Sequence, residues 1–399
     1  MRHSKLFAGL VLAGLAAGAM PAFAQSNVTL YGIVDDALTY SSNQNGKSNT
    51  YLRNGNLAGS RWGLRGTEDL GGGTKALFQL ENGFDVNSGA FSSSGVMFNR
   101  QAFVGLKNDQ VGTVTIGRQY SPYYLMVGTI GPVAYVTGAT GAHPGDIDGL
   151  DTTIRINNSV TYTSPVLWGV TASLQYGFGG QAGAFSKGNT YSGALRYDGG
   201  PLSLAAGYLR MNNIGGTGTS WNGASTGTPG ASAVNQGYLS ADALQHIAFA
   251  GIYTIGSVTL GASYSNVQYK PGAASLFHDT AIFNTAGVHA SWIVAPQWRL
   301  AAAYSYTAAS KANGINDSAT YHQVSLAQVY SLSKRTSLYA LEAWQHANGK
   351  SLAANATSII NAGPVVGDSQ NSTPSATSSQ FVGMLGIRVD FWRLTPDGV

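Results

Sequence analysis

The sequence predicts an all-β protein, a 16-stranded antiparallel transmembrane β-barrel. Three observations carry that reading. Charged residues make up only 10% of the 399-residue chain, against roughly 25% in an ordinary soluble domain. Apolar and polar residues alternate with a period near two over stretches of about ten residues, as a strand with one face in lipid and one in water requires. The connections between these stretches alternate between short and long, as in barrels with tight turns at one rim and loops at the other.

Residues 1–24 are expected to be a cleaved export signal. Arg2 and Lys5 form its charged start, Leu6 to about Met20 its apolar stretch, and Ala22-Phe23-Ala24 a small-x-small cleavage box. The barrel is then expected over 25–399. Beyond the leader no run of ~18 apolar residues could form a membrane helix. The remaining way for such a chain to cross a bilayer is a closed barrel, because every backbone polar group must be paired in lipid.

Individual strands show the pattern. Ala76, Phe78 and Leu80 alternate with Lys75, Gln79 and Glu81. Trp62 and Leu64 alternate with Arg61 and Arg65, and Ile154, Ile156, Val160 and Tyr162 oppose Arg155, Asn157, Ser159 and Thr161. Tight turns are expected at 69–73, 108–112, 164–169, 199–201, 255–257, 295–297 and 333–336, where Gly, Pro, Asn, Asp and Ser cluster. Long loops are expected at about 41–57, 87–95, 121–153, 180–188, 214–242, 270–279, 310–318 and 349–377. Both chain ends then lie on the short-turn side. Tyr31, Tyr40, Trp62, Tyr162, Trp168, Tyr208, Trp292, Trp298 and Trp344 fall near strand ends, where interfacial girdles are placed.

Composition excludes several functions. Zero Cys rules out disulfides, thiolate metal sites and a Cys nucleophile. A net charge of +4, part of it in the leader, gives no basis for nucleic-acid binding. No Gly-x-Ser-x-Gly elbow, P-loop or helical metal-ligand spacing is present, so neither catalysis nor a metal is expected.

Several motifs resemble the Gram-negative general porins of the β-proteobacterial branch. They are Ser26-Asn-Val-Thr-Leu-Tyr-Gly-Ile-Val-Asp35, Gly59-Ser-Arg-Trp-Gly-Leu-Arg-Gly-Thr-Glu-Asp-Leu-Gly-Gly-Gly73, Asn99-Arg-Gln-Ala-Phe-Val-Gly-Leu106, Gly112-Thr-Val-Thr-Ile-Gly-Arg-Gln-Tyr120 and Arg155-Ile-Asn-Asn-Ser-Val-Thr-Tyr-Thr-Ser-Pro165. The resemblance covers essentially the whole exported chain. One departure is at the end: Gly386-Ile-Arg-Val-Asp-Phe391 resembles the family's terminal motif, but Trp392–Val399 follows it.

The resemblance implies a homotrimer in outer-membrane lipid and lipopolysaccharide that passes small hydrophilic solutes and ions and has no cofactor. It implies that the third outer loop, about 121–153, folds into the lumen and narrows it. It also implies a constriction in which wall arginines Arg61, Arg100 and Arg155 face acidic groups. Strand parity independently puts Arg61, Arg65, Arg155 and Glu81 on the polar face, and Asp146, Asp148 and Asp151 fall on the candidate inner loop. Excess positive charge there would favour anions. Arg118 shares the parity of Val114 and Ile116, the apolar face. It is expected either at a subunit contact, by resemblance, or redirected by a bulge.

Overall fold

The structure, a computed structural model, describes residues 27–151, 154–215, 232–368 and 373–391. The predicted leader and the extension 392–399 lie outside the described residues. The strands are β1 (Asn27–Gln44), β2 (Lys47–Asn54), β3 (Arg61–Gly71), β4 (Thr74–Gly83), β5 (Gln101–Asn108), β6 (Gly112–Tyr120), β7 (Arg155–Thr163), β8 (Val170–Gly177), β9 (Thr190–Gly199) and β10 (Leu202–Asn212). They continue as β11 (Ala243–Ile255), β12 (Val258–Lys270), β13 (Ala281–Ala295), β14 (Trp298–Ala309), β15 (Thr320–Ser331), β16 (Thr336–Asn348), β17 (Lys350–Leu352), β18 (Ile359–Asn361) and β19 (Ser379–Phe391).

Each wall strand pairs antiparallel with its neighbours, and β19 closes on β1 from Gly32↔Phe391 to Ser41↔Val382. The lower half of β1 pairs with β3 and its upper half with β2. β2 and β3 therefore form one interrupted wall strand, and the barrel has 16. β17 and β18 form a separate hairpin within the last loop. Closure leaves no sheet edge, so the ladder satisfies the backbone without water.

The seven predicted tight turns join the expected strands. One expectation fails: 41–57 is not a free loop. Its first part is a hairpin whose tip, Asn45-Gly46, has φ of 50° and 95°, the two positive values a tight two-residue hairpin turn needs. Sequence reading missed it because Ser41–Gln44 and Asn49–Thr50 are polar on both faces, and alternation vanishes where a strand stands clear of lipid.

Side chains are sorted inversely to a soluble core. Val104, Ile116 and Leu385 are 59%, 56% and 67% exposed on the outer wall, whereas Thr39, Ser159, Thr285 and Gln345 are wholly buried on the inner one. Tyr31, expected at a girdle, is buried and faces inward, where it takes a role described below. Trp168, Trp292 and Trp298 are exposed beside the turns, as girdle residues should be.

The segment after β6 lies against the inner wall. Ser121 caps a short helix, α1 (Pro122–Val127), accepting from the Tyr124 amide, and Pro122 starts its first turn. α1 packs on β9 and β10, with the Tyr123 amide donating to Ser192 Oγ at 3.2 Å. Here the inner positions turn apolar: Tyr123, Val127 and Ile130 bury against Leu209, Leu244 and Ala248. Burying a side chain of the size of Ile130 contributes about 2 kcal/mol. The segment therefore runs along the β9–β15 wall and leaves open space toward β2–β7.

Candidate functional site

The open side is organised around Glu81 on β4. It is buried, and three side chains converge on it. Arg100 donates from Nε to Oε1 at 2.8 Å, Arg61 Nε stands 3.7 Å from Oε2, and Tyr31 donates from Oη to Oε2 at 3.0 Å. Gln79 in turn donates to Tyr31 Oη at 2.7 Å. Tyr31 reaches Glu81 by crossing Gly63, where an added Cβ would lie 2.6 Å from the phenol oxygen. Glycine is required there by that close approach.

A second group surrounds Tyr120, the last residue of β6. The Arg155 guanidinium lies 5.1 Å from the ring centre and donates from Nη2 to Oη at 3.2 Å. The Arg100 guanidinium lies 5.9 Å from the same ring, so the aromatic face offsets part of the repulsion between the two cations. Arg100 shares the strand parity of Ala102 and Val104, which point outward. It precedes the first residue of β5, and the irregular backbone there turns it inward.

Above this row is a cavity of about 650 Å³. Arg53, Arg61, Arg100 and Arg155 line it together with Asp85, Asp151 and Asp368. Below is a second cavity of about 680 Å³ near the short-turn rim, lined by Arg299, Lys334, Arg335, Arg388 and Asp390. Leu57, Val133, Ala134 and Gly138 border both. This is where the break between β2 and β3 meets the inner segment: the Ala139 amide donates to Asn56 O at 2.9 Å. Asp35 holds the break in place, accepting from the Asn56 and Ala58 amides and from Tyr339 Oη at 3.1, 3.0 and 2.6 Å.

The structure thus brings Arg61, Arg100, Arg155 and Asp151 to one cavity, with Glu81 buried beneath them. Arg65 is not among the residues that line it. It sits on the Tyr31 side, 5.9 Å from that ring. Asp146 and Asp148 do not line it either. Asp146 is buried, accepting from the Asp151 amide at 3.0 Å. Asp148 turns to the opposite wall, where Ser265 of β12 donates to it at 2.6 Å and His143 Nδ1 lies 2.6 Å away. Burial opposes charge on both partners, but the pair outweighs it: Asp148 holds His143 above its usual value, and His143 with Ser265 holds Asp148 below the usual carboxylate range. The pair is internal to the segment and positions Asp148, and the Ser265 hydroxyl ties that carboxylate to the wall.

Sequence reasoning missed Arg53, because the hairpin was read as loop. It missed Arg299 and Arg388, whose inward parity was legible but unused. It missed the His143–Asp148 pair, for which a five-residue spacing on a loop gives no signal. Arg118 keeps the outer face: Ala102 opposes it on β5, and Ile116 two residues away is exposed. The bulge lies in β7, at Asn157-Asn158. It brings Asn157 Oδ1 to Arg118 Nη1, while Nε donates to Asn99 O at 2.8 Å.

Comparison with known proteins agrees with this architecture. The family model for Gram-negative porins matches residues 10–349. The outer membrane porin protein 32 of Delftia acidovorans is 30% identical over 375 residues, covering 90% of this chain and 95% of that protein. An outer membrane porin protein of Bordetella pertussis is 34% identical over 232 residues, which span 52% of this chain and 59% of that protein. Among solved structures, the anion-selective porin from Comamonas acidovorans superposes with a TM-score of 0.68 at 26% identity, over 92% of this chain and 100% of that one.

Proposed function

Since this chain belongs to the Gram-negative porin family, a channel of the outer membrane and not an enzyme, we propose that it is a trimeric diffusion pore whose arginine-rich constriction favours anions. Ions and small hydrophilic solutes cross it passively through the water-filled side of the lumen. The inner segment 121–153 and the Asn56–Gly138 contact narrow that path, so size is screened where the two cavities meet.

The observation that carries the anion preference is the run of cations from one cavity to the next. Four arginines line the upper cavity against three aspartates, and Arg299, Lys334, Arg335 and Arg388 line the lower one against Asp390. Glu81 offsets Arg100 and part of Arg61 from below. With Glu81 counted, four carboxylates meet the four arginines of the upper cavity, and the excess of cations lies in the lower one, where low-dielectric walls focus its positive potential along the path. Arginine suits this task because its guanidinium stays charged at any working pH. The Comamonas porin, 26% identical to this chain, is anion-selective, which points the same way.

The test is single-channel current in planar bilayers, with a reversal potential under a KCl gradient. Ohmic steps in groups of three and a reversal potential of the sign set by chloride are expected. A cation-selective sign would overturn the selectivity reading, and correctly folded protein that does not conduct would overturn the pore.

A further inference from the structure

We propose that Arg118 and Glu342 meet across the interface between two copies of this chain, the cation of one barrel against the carboxylate of the next. This rests on the trimeric reading above.

Charges on the outer wall mostly sit at the rims, where water and headgroups reach them, as do Glu68, Arg210 and Lys270 at strand ends. Glu342 does not. It is exposed at the middle of β16, and Leu326 and Gly383 oppose it on the flanking strands. Leu338, Trp344 and Leu385 surround it on the outer face. No hydrogen bond or ion pair reaches it among the described residues. A carboxylate in such an apolar band is unfavourable in lipid.

Arg118 is the complementary case. Its two partners, Asn99 O and Asn157 Oδ1, are neutral, so they occupy Nε and Nη1 and leave its charge uncompensated. Ile116 and Val104 beside it are exposed apolar residues.

Depth and position match. Arg118 stands six residues above Gly112, the start of β6, and Glu342 six above Thr336, the start of β16. At ~3.4 Å per residue and a tilt near 45°, each lies about 14 Å above its turn, close to the middle of a ~25 Å apolar band. Around the wall the order is β16, β19, β1, β2–β3, β4, β5, β6. The two residues therefore bound one sector centred on β3. When three such sectors face a common threefold axis, the β16 edge of one barrel opposes the β6 edge of the next. The contact is head-to-tail and closes after three copies. Within this sector Glu68 sits at the turn rim, and Asp36, nearer the middle, already accepts from Asn87 Nδ2 at 3.0 Å.

The chain has no cysteine, which makes the test direct. In Arg118→Cys/Glu342→Cys, oxidation in detergent should give covalent dimers and trimers on non-reducing gels, whereas either single variant should stay monomeric on the same gels. Charge reversal supplies an independent reading. Arg118→Glu or Glu342→Arg should each reduce the fraction of trimer surviving mild heating several-fold, and the double reversal should restore it. Trimeric wild type without cross-links, or reversals whose losses simply add, would overturn the contact. A monomeric wild type would overturn the trimer itself, and the contact with it.

Discussion

Glu81 Oε1 accepts from Arg100 Nε at 2.8 Å while its Oε2 lies 3.7 Å from Arg61 Nε, so one buried carboxylate offsets two of the four arginines that line the upper cavity. Replacing it with glutamine keeps the shape and removes the charge. Glu81→Gln should strengthen anion preference, moving the reversal potential further toward the chloride limit. It should also destabilise the folded barrel by on the order of 3 kcal/mol, because Arg100 stays buried without its counter-charge. Reversal potential and the temperature of heat-induced unfolding on gels check the two effects separately.

Arg155 should matter more to selectivity than Arg61. Its contacts are the ring and hydroxyl of Tyr120, whereas Arg61 shares Glu81. Arg155→Gln should therefore shift the reversal potential toward cations more than Arg61→Gln does, and Arg61→Gln/Glu81→Gln should return close to wild type. Equal shifts from the two single variants would show that local pairing does not grade the arginines.

How much of this was legible in the sequence follows from what strand parity can carry. It gives the face of a residue, which placed Arg61 and Glu81 correctly inside and set the turns from their Gly, Asn and Pro clusters. Nearness to a strand end says nothing of the face, so Tyr31 was read as a girdle residue although it shares the inner parity of Asp35 and Thr39 and lies beside Glu81. Parity fails where pairing slips: Arg100 and Arg155 both adjoin irregular backbone, and their inward placement depends on it. In a segment without periodicity no face is defined. Asp146 and Asp148 could be assigned to the inner loop but not to its outer side, where His143 and Ser265 hold Asp148 away from the path. Resemblance filled part of that gap, by marking Arg100 despite its parity.

The His143–Asp148 pair positions the carboxylate that Ser265 of β12 ties to the wall, and so makes that tie pH-dependent. His143 is held above its unfolded value, so its contribution is complete below pH ~6.5 and is lost as pH rises through its raised folded value. Asp148 is held below its unfolded value, so its contribution is present above about pH 4 and is lost as pH falls through its lowered folded value. Between these limits the pair is intact. Channel closures and current noise should therefore rise on the alkaline side, above the raised His143 value, and again in strong acid. His143→Gln should show raised noise at neutral pH and lose the alkaline transition. An alkaline transition that survives in His143→Gln would place its origin elsewhere.

Gly138 is where a single methyl group should report on the narrowing itself. Its φ is +58°, and an added Cβ would lie 2.0 Å from Asn56 O and 2.7 Å from Leu57 Cα. Neither neighbour can yield easily, because both are backbone of the β2–β3 break, which Asp35 holds through the Asn56 and Ala58 amides. Gly138→Ala must therefore push the tip of the inner segment off the break and break the Ala139–Asn56 hydrogen bond. The barrel wall does not depend on this contact, so expression and trimer content should be unchanged. Single-channel conductance should rise, and larger neutral sugars should pass in liposome swelling. The same outcome is expected, more weakly, for Asp35→Asn, which loosens the other side of the contact. Unchanged conductance in Gly138→Ala would mean that the path narrows elsewhere than between Leu57 and Val133.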